Sequence, residues 1–490
     1  MGKTCASTLA LSAPFPVQYL ALMSRYGRGD LGVMDSGQSV RSAIVSATPS
    51  SLALIGCSIA LYLLVTVLGK VIVRGQGSIG HLLAAAPLSA LPGIWVGLLS
   101  VYFLSYRWAV LPATHAQSVA IPAVGSRLWL STLTASPLTL LEDATRHFAL
   151  PVVALTFVAF AAQAQVWDGT AGSGFDSPAG ALAHLLRSFP ALLGGLAPVE
   201  TLFRWNGLGA LFVTSLRGGD YALGLGILLA SSVCGATLLA LADGIEPKID
   251  TGKMFSTPSR RGARYGFGTL LVIACFVAVV PLLPSGPIDL GGLGGSNAPP
   301  RLALPGSPAW FYLLGTDSTG HSVLMWVTYG GRLALALAIA SALLAIVIAR
   351  LDALPRRVTA IQIVLDALNS TFRATPYLLL LAVLQSFISA NRTWLVVVLA
   401  GTAAGLVVSR QRHNGWTLRT LPHVVASLLL IQSAVDFLGV GVRAPLVTWG
   451  AGLANSTDYM AWGNWWWWFF PGLFLAVAAI SLRACPGPSG

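Results

Sequence analysis

Residues 333–349 read LALALAIASALLAIVIA, a run without a charged side chain in which Ser341 is the only polar residue. A second run, residues 221–242, reads YALGLGILLASSVCGATLLALA and also carries no charge. Runs of about 20 apolar residues match the thickness of a bilayer core, where only a helix satisfies the backbone hydrogen bonds within one segment. Neither run has the polar face that a helix of a soluble protein needs. The two runs therefore predict membrane-spanning helices.

The composition of the whole chain also indicates a membrane protein. Of its 490 residues, 55% are hydrophobic and 9% are charged, against about 25% charged in an average soluble domain. The net charge of +12 raises the alternative of a nucleic-acid partner. The basic residues, however, cluster in short connections after apolar runs, as in cytoplasmic loops, so we expect a lipid bilayer and no nucleic acid as partner. The scattered cysteines and histidines predict no metal site.

About eleven apolar runs are candidate transmembrane helices of an all-α membrane protein. They are residues 50–73, 82–106, 148–167, 182–202, 221–242, 266–283, 333–349, 376–388, 394–409, 421–440 and 465–482. A polar, basic stretch at 246–265 separates a first half with about five spans from a second half with about six, and we place this joint in the cytoplasm. The predicted organisation is an extracytoplasmic segment 1–49, a first half 50–245, the joint, and a second half 266–490 with an extracytoplasmic loop 284–325.

Short motifs follow one another in a fixed order along both halves. The first half has GDLG at 29–32, ETLF at 200–203, GLG at 207–209 and GDY at 219–221. The second half has LGTD at 314–317, GGR at 330–332, FLGVG at 437–441 and WG at 449–450. The first set resembles the first permease subunit of the oligopeptide/dipeptide/nickel ABC importers, and the second set resembles the second permease subunit. The chain thus resembles two permease subunits fused head to tail.

The resemblance marks a set of family-motif residues, for which structural support and contact with a solute both stay open as roles. The set is Gly29, Asp30, Glu200, Gly207, Gly209, Asp220, Gly315, Thr316, Asp317, Gly330, Arg332, Phe437, Gly439, Gly441, Trp449 and Gly450. In physical terms, the glycine-permitted turn and capping aspartate at 315–317 predict a helix start at the outer surface. Gly207 and Gly209 predict a tight turn.

Ionisable side chains in or beside spans are a second class of candidate residue. They are costly in lipid unless they face a pathway or pair with one another, so they are candidates for the transport pathway. In this chain they are Arg332, Asp366, Arg373 and Asp436.

The resemblance implies the permease of an ABC-type importer for peptides or related small solutes, in the bacterial cytoplasmic membrane. It implies cytoplasmic ATPase subunits and an extracytoplasmic solute-binding protein as partners, with alternating access between two pseudo-symmetric halves. The chain has no Gly-x-x-x-x-Gly-Lys-Ser/Thr loop to hold phosphate, so ATP would be bound by the partner subunits. We therefore expect no cofactor and no catalytic residue in this chain, which is a transporter component and not an enzyme.

Two loops depart from the family pattern. Each half of such permeases carries a Glu-Ala-Ala loop that docks the ATPase, whereas the corresponding stretches here read DGTAGSG at 168–174 and RQRHNGWTLRT at 410–420. The first has the composition of a flexible linker. The departures favour a second hypothesis, a degenerate permease that lacks the docking loops and acts as an uncoupled or accessory membrane subunit. A membrane-embedded enzyme would need clustered acid, base or metal ligands in the spans, and the sequence contains no such cluster.

Overall fold

The structure is a computed structural model that describes the following parts of the chain. They are residues 24–72, 91–112, 137–170, 178–245, 295–301, 312–352, 374–388, 395–402, 421–442, 446–454 and 463–485, with the single residues 17, 268, 271, 273, 371, 456 and 460. Regular structure within these ranges is helical apart from two isolated β-bridges. The prediction of an all-α fold is confirmed.

The helices form two groups in chain order. The first group is α1 Val40–Ile72, α2 Gly93–Ser100, α3 Pro137–Thr170, α4 Pro178–Phe203, α5 Leu208–Gly218 and α6 Tyr221–Ile245. The second group is α7 Val323–Asp352, α8 Tyr377–Ile388, α9 Leu421–Phe437, α10 Trp449–Leu453 and α11 Trp466–Arg483. Helix α2 continues as the π-helix Val101–Arg107, and residues 395–402 are also helical.

Five of these helices, α1, α4, α6, α7 and α11, contain stretches long and apolar enough to cross a bilayer. Shorter apolar helices occupy Thr145–Ala159, Leu208–Gly218, Tyr377–Phe387 and Leu421–Phe437. The helix content and the long apolar stretches confirm the membrane-protein class, while the number of eleven spans is not confirmed.

Several helices extend beyond the apolar runs that indicated them. Helix α1 begins at Val40 and not at residue 50, and α7 begins at Val323 and not at residue 333. Hydropathy detects the part of a helix that suits lipid, whereas the helix itself continues as long as its backbone hydrogen bonds do. Helix α3 runs to Thr170, so residues 168–170 are helical and the linker interpretation is wrong for them.

Some expectations fall on parts of the chain outside the described residues. They concern the joint 246–265, the span 266–283 except for three helical positions, residues 284–294 and 302–311 of the predicted loop, the stretch 410–420, and the side chains of Asp366 and Arg373. These stay predictions.

The two groups share a packing plan. In the first group the short helix α5 packs against α4 and α6, and α4 also packs against α6. In the second group the short helix α10 packs against α9 and α11, and α9 also packs against α11. The first helix of each group contacts the short helix of that group, α1 with α5 and α7 with α10.

A matching loop precedes the first helix of each group. Residues 31–40 read LGVMDSGQSV and residues 314–323 read LGTDSTGHSV, with two glycines in equivalent places. The backbone of all four glycines has a positive φ, between 82° and 89°, which favours glycine: Gly32, Gly37, Gly315 and Gly320.

The hydrogen bonds of the two loops are equivalent as well. The Val40 amide donates to the Gly32 carbonyl at 3.2 Å, and the Val323 amide donates to the Gly315 carbonyl at 3.1 Å. An isolated antiparallel bridge closes each loop at the same spacing, Val33 with Ser39 and Thr316 with Ser322. The first helices of the two groups therefore start in the same way.

Candidate functional site

The two helix groups meet along a seam to which each contributes corresponding elements. Helix α8 of the second group packs against α4 and α6 of the first. On the other side, α2 and the π-helix of the first group contact α11 of the second. A path for a solute between the groups would have to run along this seam.

Aromatic rings fill the α2–α11 side of the seam. The Trp95 and Phe469 ring centroids are 6.1 Å apart, and those of Tyr102 and Trp468 are 5.6 Å apart. A Cβ added at Gly472 would overlap the Trp95 indole. The absence of a side chain at this position lets α11 approach the indole closely.

The α8 side of the seam is packed in a comparable way. The Tyr221 and Phe387 rings stack with centroids 4.6 Å apart and an interplanar angle of 26°. Deeper along α6, a Cβ at Gly235 would overlap the carbonyl oxygen of Ala374. Along α4, a Cβ at Gly194 would lie 3.5 Å from the Leu378 Cβ. Glycines thus allow close contact on both sides of the seam.

Glu200 ties three helices of the first group together. Its side chain is fully buried at the end of α4, and one carboxylate oxygen accepts a hydrogen bond from the Ser51 hydroxyl of α1 at 2.6 Å. The other oxygen accepts from the Ala210 amide of α5 at 2.9 Å. Ser51 in turn accepts from the Leu208 amide at 2.7 Å, so the first turn of α5 is satisfied by two side chains.

Gly207 and Gly209 make this arrangement sterically feasible. A Cβ at Gly207 would overlap the Glu200 carboxylate, and a Cβ at Gly209 would lie 2.5 Å from the Ala197 amide nitrogen. The chain turns directly before Gly207, whose amide donates to the Trp205 carbonyl at 3.0 Å, whereas Gly209 lies within α5 and not in the turn. The described contacts give both glycines a role in close packing.

Asp436 holds the corresponding place in the second group, at the end of α9. Its side chain is 2% exposed, and its carboxylate accepts hydrogen bonds from the Gln432 amide group at 2.8 Å and the Val442 backbone amide at 2.8 Å. The Thr448 hydroxyl donates to the second oxygen at 2.7 Å. Gln385 of α8 extends the network through a 2.7 Å hydrogen bond to Gln432. These contacts give Asp436 the geometry of a structural anchor, and its place in the transport pathway stays a prediction.

The two anchors are built alike. Each is a buried carboxylate at the end of a helix, α4 or α9, that is followed by a Gly-x-Gly segment and a short helix. Each accepts one backbone amide from the following segment and one hydroxyl from elsewhere in its group. In both cases a glycine Cβ would overlap the carboxylate, at Gly207 and at Gly441.

The remaining motif residues of the second group are also packed. The Trp449 indole donates to the Val327 carbonyl at 2.7 Å. A Cβ at Gly450 would overlap the Ser433 carbonyl oxygen, and a Cβ at Gly330 would lie 3.1 Å from the backbone of Thr448. Buried Phe437 and left-handed Gly439 belong to the end of α9.

Asp317 folds its own loop and does not cap α7. Its carboxylate accepts from the Thr319 and His321 amides, each at 2.8 Å. Ser322 precedes the helix, and its hydroxyl accepts from the Met325 amide at 3.3 Å, so the predicted cap is wrong by five residues. Thr316 links the loop to Ala298, whose amide donates to the threonine hydroxyl at 2.7 Å.

The other two acidic motif residues of the first group, Asp30 and Asp220, lie in segments that precede α1 and α6. Asp30 follows the left-handed Gly29, and hydrogen bonds from the Arg25 guanidinium and the Gly32 amide hold the pKa of the Asp30 carboxyl below its ordinary value. Asp220 precedes α6, and its carboxylate accepts from the Leu223 amide at 3.1 Å. It is therefore the N-cap of α6.

Arg332 is the one ionisable span candidate, besides Asp436, that lies among the described residues. Its side chain is exposed on α7, with its guanidinium carbon 5.8 Å from the centroid of the Tyr329 ring. Within the described ranges there is no group of three or more side chains suited to hold a metal ion.

Sequence reasoning missed the partners of the two carboxylates and the contact of Arg217 across the seam. Ser51, Gln385 and Thr448 are ordinary polar residues in the sequence, and their importance comes from hydrogen bonds that only the folded chain makes. Arg217 donates from Nε to the Leu438 carbonyl of the other group at 2.8 Å. The one available signal was that each is a polar residue within or next to an apolar run.

The fold and the seam define a multi-pass α-helical membrane protein with two similarly built helix groups. Residues 179–251 match the family model described as the binding-protein-dependent transport system inner membrane component. The match spans α4, α5 and α6, and so includes the Glu200 anchor and both of its glycines. The resemblance to this permease family is confirmed.

Named relatives agree with the family model. A peptide transport system permease protein of Brucella suis is 25% identical over 262 residues, which cover 46% of this chain and 84% of the relative. A peptide permease protein of the same organism is 28% identical over 278 residues, covering 47% and 88%. The oligopeptide transport system permease protein OppC of Salmonella typhimurium is 28% identical over 245 residues, covering 42% and 78%. In each case most of the relative's length aligns with slightly less than half of this chain.

Proposed function

We propose that the chain is the membrane permease of an ABC-type importer for peptides or related small solutes of the dipeptide, oligopeptide or nickel type. It would lie in the bacterial cytoplasmic membrane as two permease halves in one chain. The observation that carries the proposal is the family match over 179–251, which coincides with the helices that form the Glu200 anchor and one side of the seam. The matching loops and anchors of the two groups support the two-half organisation.

The partners in this proposal are separate ATPase subunits, which hydrolyse ATP, and an extracytoplasmic solute-binding protein. The chain itself needs no cofactor and catalyses no covalent reaction. Its task is to open and close the seam alternately toward the two sides of the membrane.

A specific observation favours the alternative of a permease that has lost its coupling to ATPases. Helix α3 ends at Thr170 and α4 begins at Pro178, so only residues 171–177 are left for a loop between them. The first relative also carries residues that this chain lacks. Its alignment is 262 positions long, whereas the 46% of this chain that it covers amounts to about 225 of 490 residues. A chain with shortened docking loops would be an uncoupled or accessory membrane subunit.

Reconstitution tests the proposal and separates it from the alternative. The full chain is purified from cells that produce it with candidate ATPase subunits, and uptake of a labelled dipeptide into proteoliposomes is measured with its binding protein. We expect the ATPases to co-purify with the chain and uptake to require ATP. A chain that retains no ATPase would exclude the coupled importer and leave the uncoupled subunit.

Locking the seam is expected to stop this uptake. In a chain whose native cysteines are replaced by serine, Tyr221→Cys with Phe387→Cys should be cross-linked by a bifunctional thiol reagent, because the two rings stack across the seam. Uptake should fall to background and return when a reducible linker is cleaved.

The control pair for this experiment lies within one helix group. Ser58→Cys on α1 and Thr156→Cys on α3 replace small buried residues whose backbone and side chain are already in hydrogen-bonding contact. Their cross-link should leave uptake near the level of the unlinked chain. If the chain that is cross-linked across the seam takes up the peptide at an undiminished rate, the seam does not open during transport.

A further inference from the structure

Arg217 lies where α5 of the first helix group meets the end of α9 of the second. It is in the last turn of α5, and its Nε donates to the carbonyl of Leu438, directly after α9 of the second group. The guanidinium lies against Gly439, where an added Cβ would be 3.2 Å from Nη2. The side chain is therefore fixed in place by the other group.

The outer edge of this guanidinium is available. The Arg217 side chain is exposed, and neither of its two terminal nitrogens is hydrogen-bonded to a described residue. Ion pairs in the described ranges involve Arg25, Arg146 and Arg187 but not Arg217. An arginine held at Nε presents its two terminal nitrogens as parallel donors that fit a carboxylate.

The acidic residue nearest in sequence is already occupied. One oxygen of Asp220 accepts from the Leu223 amide at 3.1 Å, and the other accepts from the Asp35 amide at 3.1 Å. The carboxyl end of α9 accepts from the guanidinium, and Arg217 itself lies in the last turn of α5, so both helix dipoles favour a positive charge there. The charge of Arg217 is thus kept in place without a carboxylate partner.

An apolar surface follows on the same seam. Tyr221, four residues after Arg217, stacks on Phe387, which is 56% exposed. A cation that lacks an anionic partner, followed by exposed aromatic surface, suits a small solute that carries a carboxylate and an apolar group.

We propose that Arg217 forms, with Tyr221 and Phe387, a solute subsite at the seam that binds the terminal carboxylate of a short peptide. The proposal rests on the proposed function and names the group of the solute that is recognised. The competing explanation is structural: Arg217 would serve only to cap the carboxyl end of α9.

Binding to the purified full chain tests the subsite without ATPases or a binding protein. The probes are dialanine and dialanine amide, which differ only in the terminal carboxylate, and their dissociation constants are measured by calorimetry. We expect the wild-type chain to bind dialanine about tenfold more tightly than the amide, as a charge-assisted hydrogen-bonded pair implies. Absence of this preference, or of binding by both probes, would overturn the proposal.

Two variants separate recognition from capping. Arg217→Gln keeps a donor for the Leu438 carbonyl but removes the charge, so it should bind both probes with the weak affinity of the amide. Arg217→Lys should retain part of the preference. An unchanged preference in Arg217→Gln, or an equal loss for both probes together with a lowered melting temperature, would show that Arg217 only caps the helix. A failure of ATP-driven uptake alone bears on the proposed function and not on this subsite.

Discussion

Glu200→Ala should lower the free energy of unfolding of the solubilised chain by about 2 to 6 kcal/mol, because it leaves the Ser51 hydroxyl and the Ala210 amide without their acceptor in a buried place. Each unsatisfied buried donor costs about 1 to 3 kcal/mol. The loss should affect the contact between α1, α4 and α5 first, since these are the helices that the carboxylate connects. The melting temperature and the yield of monodisperse protein in detergent measure the effect.

Two comparison variants sharpen this prediction. Glu200→Gln keeps one carbonyl oxygen as an acceptor and should lose about half as much stability. Glu142→Ala removes an exposed carboxylate that pairs with Arg146 on the surface of α3, and should change the stability by less than about 0.5 kcal/mol. Equal melting temperatures for Glu200→Ala and Glu142→Ala would show that the buried carboxylate is not an anchor.

Gly235→Ala adds one methyl group to α6 and should nevertheless disrupt the packing of the seam strongly. The added Cβ would overlap the carbonyl oxygen of Ala374, and a backbone atom cannot rotate away as a side chain can. Overpacking of this kind costs about 1 to 3 kcal/mol, although alanine favours a helix over glycine by about 1 kcal/mol. We expect a lower melting temperature and a loss of peptide uptake in the reconstituted system.

Gly56→Ala is the matched control for the seam. Gly56 lies within α1, and an added Cβ would meet nothing within 4 Å. Its replacement should therefore be neutral or stabilise the chain by up to about 1 kcal/mol through helix propensity. If Gly235→Ala behaves like Gly56→Ala in both assays, α6 and the Ala374 backbone are not in close contact.

The sequence predicted the membrane class well because lipid imposes one requirement on every span. A run such as 333–349 has to satisfy its backbone within a helix, whatever its neighbours are. The ends of the helices were predicted less well. Residues 323–332 include Thr328, Tyr329 and Arg332, which lower the hydropathy but do not interrupt the helix.

The hydrogen bonds of Asp436 could not be predicted, because the fold of the segment after α9 brings Val442 and Thr448 to its carboxylate, although both lie close to it in sequence. Hydropathy identifies an acidic residue in an apolar run, and a pathway is the default explanation for it. The same residue becomes an anchor once the Val442 amide and the Thr448 hydroxyl converge on its carboxylate. Glu200 was recognised only as part of a motif, because its partner Ser51 lies far away in sequence.

The matching loops at 31–40 and 314–323 have a consequence for synthesis of the chain at the ribosome. Each loop closes through hydrogen bonds and a bridge between residues no more than eight positions apart. Contacts of such short range form early, because little chain entropy is lost in closing them. Each helix group therefore begins with a segment that can fold as it emerges, before the partners of α1 or α7 have been translated.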